Sequence, residues 1–222
     1  MQEKIETIRA RIAAAAAASG RAAEQITLVA VSKTVGTEEV RVAASLGIHD
    51  FGENRPQELK YKGEILPQLN WHMIGRLQTN KVKDVVGRAV LIHSLDRWNL
   101  AEEMNRRAQN SEVHQDVLLQ VNIAGEEQKT GIEPGDVEAF LDAMGQLESL
   151  HIRGLMTIAP LVTDPEEARP IFRELYHIQE KVRARGFAHV NLQYLSMGMS
   201  QDFQVAIEEG ANLVRIGSAI FH

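Results

Sequence analysis

Apolar positions along this chain repeat with two periods, and the two alternate. Between residues 2 and 19, Ile5, Ile8 and Ile12 recur at helical spacing among alanines, and Gly20 supplies a stop, which predicts a first helix. From Ile26 onward, short β-branched runs take turns with amphipathic stretches. Strand-like runs fall at 26–32, 48–51, 71–74, 89–93, 117–123, 152–158, 190–195 and 212–216. Helical patterns begin at Thr37, near Pro56, over 79–86, and after Asp96 as N-cap, where Trp98, Ala101, Met104 and Ala108 form the apolar stripe. Further ones open at Asp136, at Asp164-Pro165-Glu166-Glu167 and at Ser200, which is expected to cap its helix. Pro170 is expected to bend the helix that carries it.

Eight strands alternating with helices predict an α/β fold, a single (β/α)8 TIM-type barrel with an extra N-terminal helix, as one domain over 1–222. A doubly wound sheet usually stops at fewer strands, and no G-x-G-x-x-G opens the first helix. The chain ends at Phe221-His222, soon after the last strand, so the closing helix is expected to be short or absent. The N-terminal helix is then placed to cover part of that gap.

Composition narrows the function. The chain has 222 residues, a formal net charge of −6 and no cysteine. Nothing basic enough for a nucleic-acid footprint is present, and disulfides, thiolate metal sites and cysteine nucleophiles are excluded. The 8 histidines show no H-x-x-x-H or H-E-x-x-H spacing, which argues against a metal site. No G-x-S-x-G marks a hydrolase serine. The alanine run 13–18 is too short to span a bilayer, and the acidic N-terminus is unlike a signal peptide. A soluble cytoplasmic protein is the expectation.

The candidate chemistry starts at Lys33, at the carboxyl end of the first strand run. A buried ammonium there must be paired, or deprotonated and used as the amine that condenses with a carbonyl compound. Alternatively the lysine merely snorkels out of a strand end. At the opposite end of the chain, Leu195-Ser196-Met197-Gly198-Met199-Ser200 follows the seventh strand and Arg215-Ile216-Gly217-Ser218-Ala219 sits at the eighth. Barrels of this class often place a phosphate at those two loops, and small residues let peptide N–H groups approach it. Strand parity puts Arg215 with Gly217 and opposite Val214 and Ile216, so Arg215 is predicted to point into the barrel mouth. Its acceptor is either a pyridine nitrogen or a carboxylate from another strand. Asn54, Ser94, Asp96 and Asn122 also fall at strand ends, and His72 reads first as a satisfied core histidine.

The segments VAVSKT, FGENRPQE, WHMIGRLQTNK, HSLD, QVNIAGEEQKTG, GLMTIAP, LSMGMSQDFQVAI and VRIGSAIF resemble the pyridoxal phosphate homeostasis protein family over nearly the whole chain. That family is similar to the N-terminal barrel of alanine racemase without its added β-domain. The resemblance implies that Lys33 forms the internal aldimine with pyridoxal 5'-phosphate. It implies that Ser196, with backbone groups at Met197, holds the phosphate together with Gly217 and Ser218. Arg215 would face the pyridine nitrogen, with Asn54 and the surroundings of His72 beside the cofactor. One departure is clear: the family commonly reads Lys-Thr-Lys-Pro where this chain has Lys33-Thr34-Val35-Gly36, so a second loop lysine is missing. The implied role is cofactor binding and homeostasis without turnover, with apo-enzymes that use the cofactor as candidate partners, and the single barrel without a second domain makes a monomer the expectation. The alternative is a small amino-acid racemase, which would need a base on each face of its substrate.

Overall fold

The computed structural model describes residues 1–125 and 130–222. Residues 126–129, part of the QVNIAGEEQKTG segment, lie outside the described residues. Eight strands form: β1 (Thr27–Val31), β2 (Asp50–Glu53), β3 (Asn70–Met73), β4 (Leu91–Leu95), β5 (Gln115–Gln120), β6 (Leu150–Met156), β7 (Val190–Ser196) and β8 (Leu213–Ile216). They close in sequential order with parallel pairing, β8 returning against β1. The chain is thus the (β/α)8 barrel that the alternating periods predict.

The helices are α1 (Gln2–Ala18), α2 (Thr37–Ser45), α3 (Pro56–Ile65), α4 (Trp98–Asn110), α5 (Val137–Ala143), α6 (Arg169–Arg185), α7 (Phe203–Glu208) and α8 (Ser218–Phe221). Between β3 and β4 the expected helix is instead a 3-10 stretch, Thr79–Asp84. Ser200 does not cap α7: that helix begins three residues later, behind Asp202. Asp96 does not cap α4 either; Arg97 precedes the helix, and the Asp96 carboxylate pairs with the Arg97 guanidinium. Pro170 lies in the first turn of α6, where its missing N–H has no intrahelical partner to lose, so no bend is needed. Before α6, Asp164 does act as read, accepting from the Glu166 N–H at 3.0 Å.

The terminal elements of the described chain meet. The buried face of α1, Ile5, Ile8, Ile12, Ala15 and Ala16, packs over α7 and reaches α8. Arg11 of α1 clasps Gln204 Oε1 at 2.6 and 3.0 Å and lies over the Phe203 ring. Just past α1, Arg21 donates to the carbonyls of Ile207, Gly210 and Ala211, satisfying the open C-terminal end of α7.

Most of the apolar core lies between the outer face of the strands and the helices. A smaller cluster, Val29, Leu91, Leu118, Met156 and Leu213, fills the barrel itself, with Tyr194 against it. The registers Val29↔Asp50, Gly52↔His72 and Val29↔Arg215 place Asp50, His72 and Arg215 on that same inner face. This interior is therefore partly polar, which explains the shifted strand ends. β2 runs two residues beyond the apolar run 48–51 because its inner positions are Asp50 and Gly52, and β4 extends to Leu95 through buried His93 and Ser94.

Candidate functional site at the C-terminal barrel mouth

Lys33 emerges two residues after β1, exposed on the rim at the carboxyl ends of the strands. The expectation of a buried ammonium at the strand end is corrected here: the buried residue is Ser32, and the Lys33 side chain is exposed. The peptide before it is tightly held. Ser32 N donates to Gly52 O at 3.0 Å, and the Lys62 amine donates to Ser32 O at 2.8 Å.

A cavity of about 290 Å³ opens beside Lys33, near the lower end of the ~300–1,000 Å³ usual for small-molecule sites. Lys33, Arg215, Gly217, Ser218, Ser200 and Asp202 contribute its polar wall. Pro160, Leu161 and Val162, from the loop after β6, supply an apolar one, and Leu161 is 86% exposed. The Ser218 hydroxyl donates to Ser200 Oγ at 3.1 Å, which brings the loop after β7 to the start of α8.

Two glycines let these loops meet. Gly198 has φ +92°, and a Cβ there would lie 2.6 Å from Ala206 Cβ and 2.9 Å from Phe203 Cα. Its carbonyl accepts from Arg215 N at 3.0 Å. At Gly217 a Cβ would stand 3.0 Å from Val31 O, so a larger residue would press this turn away from the end of β1.

Arg215 points inward, as strand parity predicts, and is 5% exposed. Its guanidinium donates through Nη1 to Ser196 Oγ and through Nη2 to Thr157 O at 2.9 Å. Burial pushes its pKa down to about 10, against the opposing pull of Asp202, and that still leaves it charged at neutral pH. Asp202 accepts from Met199 N at 2.6 Å, yet burial raises its carboxyl above the ordinary aspartate range. The nearest acceptors of Arg215 are thus a hydroxyl and a carbonyl, and Asp202 acts on it as a neighbouring charge.

Three expected phosphate or cofactor contacts lie elsewhere. Ser196 is fully buried behind Arg215, its oxygen shared between that guanidinium and His93 Nδ1 at 3.0 Å. Met197 N donates to Leu213 O at 3.2 Å, so this peptide belongs to the sheet rather than to the cavity. Asn54 follows β2, half-buried, and is not among the residues lining the cavity. His72 is the satisfied core histidine of the first reading, bonded to Asp50 and His93. Ser94 donates to Gly75 O at 2.7 Å, and Asn122 donates to Glu133 Oε1 at 3.2 Å.

Sequence reasoning missed Asp202 and His93, and it placed Ser200 in the phosphate loop as a helix cap. For His93 a signal existed: it shares the parity of Leu91 on a strand whose inner face is closed. Among the described residues no group of three or more potential metal ligands comes together.

A closed parallel barrel with a rim lysine and an inward arginine across one cavity defines a barrel of the alanine racemase N-terminal type. The family model for the alanine racemase N-terminal domain matches residues 4–222. A pyridoxal phosphate homeostasis protein from Aquifex aeolicus is 45% identical over 221 residues, covering 99% of this chain and 96% of that relative. The chain belongs to the pyridoxal phosphate homeostasis protein family. PipY of Synechococcus elongatus, solved with PLP bound, superposes with a TM-score of 0.86 at 33% identity, covering 100% of this chain and 99% of that one. Alanine racemase from Corynebacterium glutamicum shares the fold alone, at TM-score 0.73 and 14% identity over 97% of this chain and 61% of that one.

Proposed function

We propose that this chain binds pyridoxal 5'-phosphate at the C-terminal barrel mouth, covalently through Lys33, and serves the homeostasis of that cofactor without turnover of its own. The observation that carries the reading is that Lys33 and Arg215 line one cavity, together with the Ser200 and Ser218 hydroxyls. The residues present fit the group: an accessible amine, two hydroxyls beside a glycine turn for a phosphate, and a buried cation for a ring nitrogen. When bound, the cofactor supplies an aldehyde that condenses with amines and a pyridine ring that withdraws electrons.

Lys33 provides the amine and reaches it from a rim position open to solvent. Gly217 and Ser218, joined by Ser200, take the phosphate end. Arg215 faces the ring nitrogen and, retaining its proton, donates to it and leaves the ring uncharged. An uncharged ring withdraws electrons weakly, which favours holding the cofactor over working through it. Ser196 takes a revised role, bracing Arg215 from behind. Asn54 and the neighbourhood of His72 remain proposals at the edge of this arrangement.

A racemase would need a second base across from Lys33. Tyr61 is 58% exposed on α3, Tyr176 lies on α6, and Tyr194 is packed inside the barrel. Asp202 is the carboxylate on the cavity wall, and one of its oxygens is already held by Met199 N. The exposed position of Lys33 supports exchange of the cofactor with apo-enzymes that use it. We infer a monomer at work in the cytoplasm. No helix among the described residues is long and apolar enough to cross a membrane, and the chain has no cysteine.

The test is an absorption spectrum of the protein with pyridoxal phosphate, before and after borohydride, with mapping of the reduced peptide. A visible band that borohydride bleaches, with the adduct on Lys33, is expected. An unlabelled Lys33 would overturn the covalent reading. Sustained loss of optical activity from single-enantiomer amino acids, dependent on Lys33, would overturn the absence of turnover.

A further inference from the structure

Five side chains from five strands form one unbroken series of hydrogen bonds inside the barrel. Asp50 Oδ1 lies 3.1 Å from His72 Nε2, and His72 Nδ1 lies 3.0 Å from His93 Nε2. His93 Nδ1 is 3.0 Å from Ser196 Oγ, which accepts from Arg215 Nη1. Asp50 opens β2 and Arg215 lies near the end of β8, so the series crosses the barrel from its amino-terminal end to the cavity. His72 and His93 are 4% and 0% exposed, so water has little access to the middle of it.

The chemistry of the two ends fixes where each proton sits. An ionised carboxylate only accepts, so His72 carries its proton on Nε2 and offers the lone pair of Nδ1 to His93. His93 then carries its proton on Nε2, and its Nδ1 accepts from the Ser196 hydroxyl. The Ser196 oxygen is left to accept from Arg215, which only donates. Every group has one role, and the roles agree from both ends. With His72 neutral, reversing the order would set an unprotonated Nε2 against the Asp50 carboxylate, lone pair against lone pair. Burial above all holds His93 well below the ordinary histidine range, so it keeps a single ring proton.

We propose that Asp50, His72, His93 and Ser196 form a proton-ordered chain that positions Arg215, with Asp50 setting its direction. Asp50, His72 and His93 are then positioning residues for the guanidinium at the cavity, which they reach through Ser196. The effect on the cofactor rests on the reading of Arg215 as the group that faces the ring. The order of the protons does not.

Nitrogen NMR of the full chain with isotope-labelled histidine, free of cofactor and at mildly alkaline pH, tests the order directly. His72 and His93 are both expected as the Nε2–H tautomer, and Asp50→Ala is expected to give His93 a mixture of tautomers. With pyridoxal phosphate added, Asp50→Ala and His93→Gln are each expected to displace the visible absorption maximum while borohydride still traps Lys33. A purely structural polar cluster would not move that maximum. An Nδ1–H tautomer at either histidine of the unaltered protein overturns the proposal, and so do maxima unchanged in both variants. If the unaltered protein traps no cofactor on Lys33, the proposed function fails, and the tautomers alone decide the chain.

Discussion

The Lys62 amine donates to the carbonyl of Ser32 at 2.8 Å, fixing the peptide immediately before Lys33. The same amine meets Glu53 Oε1 at 2.7 Å, and the Ser32 hydroxyl donates to that oxygen at 2.6 Å. Both charged side chains are closed off from water, 2% and 0% exposed, and Glu53 Oε2 has no hydrogen-bond partner among the described residues. Desolvation largely cancels the attraction in such a pair, so its contribution is local order rather than net stability. Here that order lies directly under the residue proposed to carry the cofactor.

Breaking this pair from one side is therefore costly. Lys62→Met leaves a buried carboxylate without its partner, and about 3–5 kcal/mol of stability should be lost in urea unfolding. Replacing both residues, Lys62→Met with Glu53→Leu, should recover most of the loss, because no charge then remains in the core. A double variant as unstable as the single one would show that packing, not the stranded charge, dominates.

Lys33→Ala is expected to behave in the opposite way. Its side chain is exposed on the rim, so stability should change by less than about 0.5 kcal/mol, read by the same unfolding curve. Borohydride trapping of pyridoxal phosphate on the protein should vanish. A residual adduct on another lysine would show that a neighbouring amine substitutes for it.

The barrel was legible in the sequence because outward-facing strand residues and helix faces are both apolar and carry different periods. The inner face was not. Polar Asp50 and His93 stand on it, so hydrophobic runs marked only part of β2 and β4. Parity placed Arg215 correctly, because it needs only the alternation of one strand. Ser196 was misplaced for a related reason. A motif gives the order of residues along a loop, but not which one still lies within the strand and faces the barrel interior. Asp202 escaped notice because its contact is made by a turn, Met199 N to Oδ1, that no periodicity announces.

The charge network over α6 and α7 predicts a pH dependence. Hydrogen bonds from Arg173 and then Arg169 hold Glu209 below the ordinary value of 4.5. A carboxylate depressed in the folded state stabilises fully above its unfolded pKa, and that contribution is lost as pH falls through the folded one. Arg169→Gln should thus lower the urea midpoint at neutral pH, and the difference from the unaltered protein should close as pH drops below 4.5. A gap that stays constant into acid would assign the effect to packing of the arginine stem.

At Gly154 the backbone of β6 has φ +158°, and a Cβ would fall 1.8 Å from Tyr194 O of β7. The obstacle is backbone, so no rotamer change relieves it, and the register between the two strands already shifts there. Gly154→Ala should cost at least about 3 kcal/mol, or prevent folding. Gly135→Ala, with nothing within 4 Å of the added methyl, is the control and should stay within about 0.5 kcal/mol.

Ser196→Ala and Ser218→Ala separate bracing from binding. Removing the Ser196 hydroxyl takes away the one atom that both Arg215 Nη1 and His93 Nδ1 bond. Each is a buried polar group losing its partner, so the cofactor-free protein should lose about 1–3 kcal/mol. Ser218 lies on the cavity wall with its hydroxyl against Ser200. Its removal should leave the unfolding midpoint of the cofactor-free protein in place and weaken retention of pyridoxal phosphate, measured by equilibrium dialysis. If Ser196→Ala instead leaves stability unchanged and releases the cofactor, then its hydroxyl turns toward the phosphate when the cofactor binds, and Arg215 is braced by Thr157 alone.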